Sequence, residues 1–148
     1  MSSPNSEKAY NYRYRGKVYP TLGSVLEANR EALDADIAEV LNRSGLESAV
    51  NAPIESAGNE DAYPYFFDKI AAVAYRIIAN HVFADGNKRT ALSTIELTLN
   101  WNNHYIRASD ETFSLAILLV ASGHLDSRGL KDALLYMCGY DPAVHSQL

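Results

Sequence analysis

The stretch YFFDKIAAVAYRIIAN (65–80), HVFADGNKR (81–89), TALSTIELTLNWN (90–102) decides the fold. Phe66, Ile70, Val73 and Ile77 recur at spacings of 4, 3 and 4, which predicts a helix over Tyr65–Asn80 with one buried face. A second helix is predicted to begin at Asn87 or Lys88 and to run to about Asn102. It carries Ala91, Leu92, Ile95, Leu97 and Leu99 on more than one face, so it belongs in the middle of a core. Between the two, Asp85-Gly86-Asn87 is turn chemistry: Gly supplies positive φ, and the Asp and Asn side chains bond to nearby backbone.

Working outward, Leu22, Val25, Leu26, Leu33, Ile37, Val40 and Leu41 fall near a 3.6-residue period, with Thr21 as N-cap and Gly45 as stop, predicting one long amphipathic helix. A short helix covers Leu46–Val50, and Asn51–Tyr63, with Pro53 and Gly58, reads as a loop. Downstream, Tyr105–Ala108 is a turn or brief strand. Ser109 caps a helix through Ala121, and a last helix runs from Ser127 or Arg128 to Gly139, with Leu130, Leu134 and Met137 aligned. The expectation is an all-α domain of about six helices over 21–139. Residues 1–20 form an extended Tyr-rich arm, in which Tyr10, Tyr12, Tyr14 and Tyr19 alternate with Arg13, Arg15 and Lys17, and residues 140–148 a tail.

A chain of 148 residues predicts a single domain. Its 47% hydrophobic and 21% charged residues are those of an ordinary water-soluble globular protein. The net charge of −5 argues against a protein whose main task is wrapping nucleic acid. Cys138 is the only cysteine, so no internal disulfide can form, which fits a reducing cytoplasm. The N-terminus lacks the apolar stretch of a signal peptide. The longest apolar run, Leu115–Ala121, is far short of the ~20 residues that span a bilayer.

The nine residues 81–89 hold a base, a carboxylate, an amide and two cations. A helix that starts after Asp-Gly-Asn presents free N–H groups, which attract anions. Lys88 and Arg89 in its first turn oppose the helix dipole by ~0.3–1 kcal/mol each, a cost that a bound phosphate offsets. Each residue type alone has an ordinary structural use, and Phe83, flanked by polar residues, is a loop anchor. Their convergence between two apolar helices points to a site. His104, His124 and His145 have no ligand-like spacing for zinc, and no His-Asp dipeptide supports a metal phosphohydrolase of the HD type.

His-x-Phe-x-Asp-x-Asn-Lys-Arg resembles the signature of the Doc (death-on-curing) branch of the Fic/Doc family, the toxins of prophage toxin–antitoxin modules. All six fixed positions match, as His81, Phe83, Asp85, Asn87, Lys88 and Arg89. Gly45-Leu46-Glu47-Ser48-Ala49-Val50 followed by Ala52-Pro53 is similar to another family segment, as is Ala121-Ser122-Gly123 before the last helix, so the resemblance spans about Tyr19–Gly139.

The resemblance implies the family's helical bundle, with a catalytic loop opening a central buried helix. Fic proteins, with Gly-Asn-Gly-Arg, transfer AMP to a hydroxyl. Doc proteins, with Asn-Lys-Arg, transfer the ATP γ-phosphate, and Lys88 places this chain with them. By this likeness His81 is the general base toward a Ser or Thr hydroxyl, Asp85 holds Mg²⁺, and Asn87, Lys88 and Arg89 orient phosphates, with Ser93 a further nucleotide contact. The implied target is elongation factor Tu, and the implied outcome arrest of translation. AMP transfer, or a non-catalytic binding domain, are the alternatives. Ser56-x-x-x-Glu60 resembles the self-inhibitory motif of some Fic proteins, but Asp61 follows where that motif has Gly or Asn. Control is therefore expected from a separate small antitoxin whose C-terminal segment folds on binding.

Overall fold

A computed structural model describes residues 2–148. Six helices, α1 (Leu22–Leu33), α2 (Arg43–Asn51), α3 (Phe66–Ala79), α4 (Asn87–Trp101), α5 (Asp110–Ala121) and α6 (Ser127–Met137), form the body. Two short antiparallel strand pairs are added to it, β1 (Asn11–Tyr14) with β2 (Lys17–Pro20) and β3 (Ser56–Ala57) with β4 (Glu60–Asp61). No helix among the described residues is long and apolar enough to cross a membrane.

The centre of the bundle is α3, which packs against α2, α4, α5 and α6; α4 packs against α1, α3 and α5. The sequence reading put α4 in the middle, and composition explains the exchange. Ala71, Ala72 and Ala74 let neighbours approach α3 on every side, whereas α4 keeps Lys88, Arg89, Glu96 and Asn100 in solvent. The face of α4 turned inward joins Ala91, Ile95 and Leu99 to a stripe of Thr90, Thr94 and Thr98. Within that stripe the Thr98 hydroxyl donates to the Thr94 carbonyl at 2.7 Å.

The long helix expected from Thr21 to Gly45 is cut at Leu33. Asp34 takes a left-handed conformation (φ 48°), which Asp tolerates better than most residues, and the Ala35 N–H returns to the Arg30 carbonyl at 2.9 Å. The chain beyond runs beside the loop that precedes α4. Val40 forms a β-bridge with Phe83, the Leu41 N–H donates to the Val82 carbonyl (2.8 Å), and the Ala84 N–H to the Glu39 carbonyl (3.0 Å). Ile37 and Leu41, taken from periodicity as core positions, are exposed instead.

The extended-arm reading of residues 1–20 is also corrected. Arg15 and Gly16 both have positive φ, the conformation of a tight hairpin turn, and β1 pairs with β2 across it. The hairpin buries Tyr12 and Tyr19 in the same core as the helices, and the Tyr12 hydroxyl donates to the Val50 carbonyl at 3.1 Å. Residues 140–148 are docked too: Tyr140 packs on Phe67 and His104, and the Phe67 N–H donates to the Leu148 carbonyl.

Within the Asn51–Tyr63 segment, β3 and β4 meet around Gly58 (φ 70°). The feet of this hairpin are moored by charge. Glu55 accepts both Arg76 nitrogens at 2.9 and 3.0 Å, and Asp61 lies 2.9 Å from the buried Lys69 ammonium.

Candidate active site

The apolar face of α3 ends at Ala79, and the chain must turn back to start α4. His81 makes the reversal in the left-handed region (φ 46°), its N–H returning to the Ile78 carbonyl at 3.1 Å, which leaves its side chain exposed. Phe83 then plunges into the core at 1% exposure, the loop anchor that its sequence context predicted. Asn87 closes the loop: Oδ1 accepts the Phe83 N–H (2.9 Å) and Nδ2 donates to the Phe83 carbonyl (2.8 Å). Asp85 and Gly86 lie between these ties. The Asp85 Oδ1 accepts the Gly86 N–H at 2.7 Å, and the carboxylate stays in solvent.

Gly86, at φ 78°, is the residue before α4, and no side chain among the described residues caps the helix. The first-turn N–H groups therefore face outward, as an anion site requires. The glycine is demanded by space as well as by φ. A Cβ there would lie 3.1 Å from Leu33 Cδ2 and 3.2 Å from Asn29 Nδ2. Arg89 reaches sideways, its Nη1 donating to the Ala32 carbonyl near the end of α1 at 2.7 Å. Lys88 is exposed, and neither it nor Arg89 is paired with a carboxylate among the described residues.

His81, Asp85, Asn87, Lys88 and Arg89 together line one cleft of about 620 Å³. Its other walls come from Tyr75 and Ile78 of α3 and from the end of α5 at Val120 and Ala121, with Gly123 beyond. Ser93, half-buried one turn further along α4, is not among the lining residues, and neither are Ser56 and Glu60. Two cations and an uncapped helix start against one carboxylate make the cleft mouth locally positive on a chain of net charge −5.

No three His, Cys, Asp or Glu side chains converge among the described residues. A lone exposed carboxylate at the mouth of the cleft is a donor that suits Mg²⁺, which keeps several waters and takes its remaining ligands from one or two carboxylates and phosphate oxygens.

Two contributors were missed from sequence. Tyr75 was read only as part of α3, and Asn29 was passed over. Asn29 is 1% exposed on α1, where Leu22, Val25 and Leu33 make the apolar stripe, and a polar residue on such a stripe was the available signal.

A helical domain with a locally positive cleft at the uncapped start of one helix has a site suited to anionic ligands. Comparison with known proteins gives this class its family: residues 13–99 match the Fic/DOC family, and the chain belongs to it. Toxin Doc of Mycolicibacterium smegmatis (strain ATCC 700084 / mc(2)155) is 38% identical over 63 residues, 43% of this chain and 48% of that protein. The chain thus spans about half the length of the curated relative it matches.

Proposed function

We propose that this protein is the toxin of a toxin–antitoxin pair and a kinase that moves the γ-phosphate of ATP to a Ser or Thr hydroxyl of a protein. One observation carries the reading. His81, Asp85, Asn87, Lys88 and Arg89 line a single cleft at the uncapped start of α4, and the position between Asn87 and Arg89 is an exposed lysine, not a glycine. A lysine stem and ammonium fill the space that a diphosphate needs against bare backbone, and offer a point charge to a terminal phosphate.

In this mechanism the acceptor hydroxyl enters beside His81. Imidazole accepts the hydroxyl proton as its oxygen bonds to the γ-phosphorus; the bond from that phosphorus to the β–γ bridging oxygen breaks, and ADP leaves with the electron pair. The α4 N–H groups, Lys88 and the free guanidinium nitrogens of Arg89 hold the phosphate oxygens in line, which is most of what phosphoryl transfer asks of a protein. Asp85 would hold Mg²⁺, which when bound supplies neutralising charge to the phosphates.

Elongation factor Tu as target, translation arrest as outcome, the cytoplasm as location and a small antitoxin with a C-terminal segment that folds on binding complete the proposal. They are supported by membership of the family and by the likeness to Toxin Doc. The test is the position of label. Incubated with a bacterial lysate or purified elongation factor Tu, the protein should transfer label from γ-labelled and not from α-labelled ATP. Transfer of α label would make it an AMP transferase, and no transfer of either a binding module. Expression of the chain should arrest bacterial growth while its His81→Ala variant, at equal soluble level, should not.

A further inference from the structure

Asn29 is a polar residue in an apolar setting. It sits on the core face of α1 at 1% exposure, and both recorded bonds of its amide nitrogen go to the start of α4: Nδ2 donates to the Asp85 carbonyl at 3.0 Å and to the Thr90 hydroxyl oxygen at 3.1 Å. Its Oδ1 is buried without a partner among the described residues. An apolar side chain of the same size would avoid leaving an acceptor dry, so packing alone does not explain an asparagine here.

The two bonds have a common effect. Asp85 lies just before α4, and Thr90 closes its first turn, the Thr90 N–H donating to the Gly86 carbonyl at 2.8 Å. Asn29 therefore spans the loop-to-helix junction from one end to the other and fixes the distance between them. It also lies against Gly86, whose absent Cβ would come within 3.2 Å of Nδ2, so the junction is moulded onto this amide. Asp85 is held at its backbone by Asn29 and at its carboxylate by the Gly86 N–H.

We propose that Asn29 is a positioning residue for phosphate transfer: from α1 it holds the Asp85 backbone and the first turn of α4 so that the Asp85 carboxylate and the α4 N–H groups face one ligand together. It touches no substrate and acts through Asp85 and Thr90. The inference rests on the kinase reading above for its activity arm only.

Asn29→Leu keeps the branched shape and the number of heavy atoms, and removes both bonds together with the orphaned oxygen. The expected result is a folded protein that still binds ATP without Mg²⁺, at most a few-fold more weakly. The Mg²⁺ concentration for half-maximal ATP binding should rise, and kcat should fall about 10–100-fold with little change in KM for the protein acceptor, the usual scale for a group supporting a metal ligand. Amide hydrogen exchange at Ala84 and Thr90, whose N–H groups are bonded to the Glu39 and Gly86 carbonyls, should quicken by about ten-fold as the junction loosens. Thr90→Val, which leaves the tie to Asp85, should show the exchange effect and a smaller loss of kcat; Thr90→Ser should restore both. If Asn29→Leu folds with wild-type exchange at Ala84 and at position 90 and wild-type Mg²⁺ dependence of ATP binding, Asn29 is packing and the proposal falls. If Asn29→Leu does not fold, Thr90→Val decides on the same two measurements. A wild-type protein that transfers no γ-phosphate would sink the kinase reading alone, because the exchange and ATP-binding arms read the junction without turnover.

Discussion

The side-chain amide of Asn87 bonds both ways to a single residue, accepting the Phe83 N–H and donating to the Phe83 carbonyl. The pair closes a small ring around Ala84, Asp85 and Gly86, so the three residues that shape the cleft floor are held between an anchor in the core and the first residue of α4. Asn87→Asp keeps the size but sets an oxygen against the Phe83 carbonyl. Unfolding by urea should show a loss of about 1–3 kcal/mol, and phosphate transfer should fall with it. Unchanged stability and transfer would mean that the ring is dispensable.

His81→Ala should lower transfer by about 10²–10⁴-fold while ATP affinity, measured by calorimetry, stays the same, since a base acts on the rate and little on ground-state binding. His81 stands at φ 46°, where alanine is strained, so His81→Asn is the better control. Asparagine tolerates that backbone and cannot do the imidazole's work. The two variants should be equally inactive, with Asn the more stable.

Lys88 and Arg89 should separate in their effects. Lys88→Ala removes an exposed cation with no hydrogen-bond partner among the described residues and should weaken ATP binding about ten-fold without lowering Tm. Arg89→Ala also releases the Ala32 carbonyl and should lower both affinity and Tm. Equal Tm losses in the two would contradict the tie between Arg89 and α1.

Acid should loosen the β3–β4 hairpin through Asp61. Burial alone would raise its carboxyl, but hydrogen bonds from Tyr14 and Lys69 and the charges of Lys69 and Arg15 outweigh it, and the group is held below the ordinary carboxylate range. Its contribution to stability is then complete above the unfolded value near 3.9 and is lost as pH falls through the lower folded value. Asp61→Ala leaves the Lys69 ammonium, 3% exposed, bonded to the Pro53 carbonyl but without a carboxylate, and should cost about 3 kcal/mol at pH 7. Between pH 5 and pH 2 its stability should change less than that of the parent.

What could be read from the sequence was what periodicity and local chemistry carry. The limits of α3 and α4 follow from apolar spacing and the Asp-Gly-Asn turn, and the anchoring of Phe83 from its polar neighbours. The end of α1 was not legible, because Ile37, Val40 and Leu41 continue the helical period beyond Asp34. The backbone of 39–42 finds partners in Val82, Phe83 and Ala84 that no local pattern announces. The burial of Tyr12 and Tyr19 was hidden for the same reason: alternating aromatic and basic residues describe a surface strand as well as one laid on a core. For the site, the five cleft residues were neighbours in the chain, while Asn29 comes from a helix more than fifty residues away and is visible only once α1 lies on α4.

The segment before β1 reaches the opposite end of α1: the Pro4 carbonyl accepts the Leu22 N–H at 2.8 Å, and the Ser6 carbonyl accepts the Gly23 N–H at 2.9 Å. The helix is thereby clamped at its rear by residues 4–6 and at its front by Asp85, Thr90 and Arg89, a strut braced at both ends. Deleting residues 2–7, or fusing a folded tag directly ahead of Pro4, would slacken the rear brace, and the slack would travel along α1 to the cleft. Chain lengths chosen for convenience at the N-terminus would then report on a detuned site.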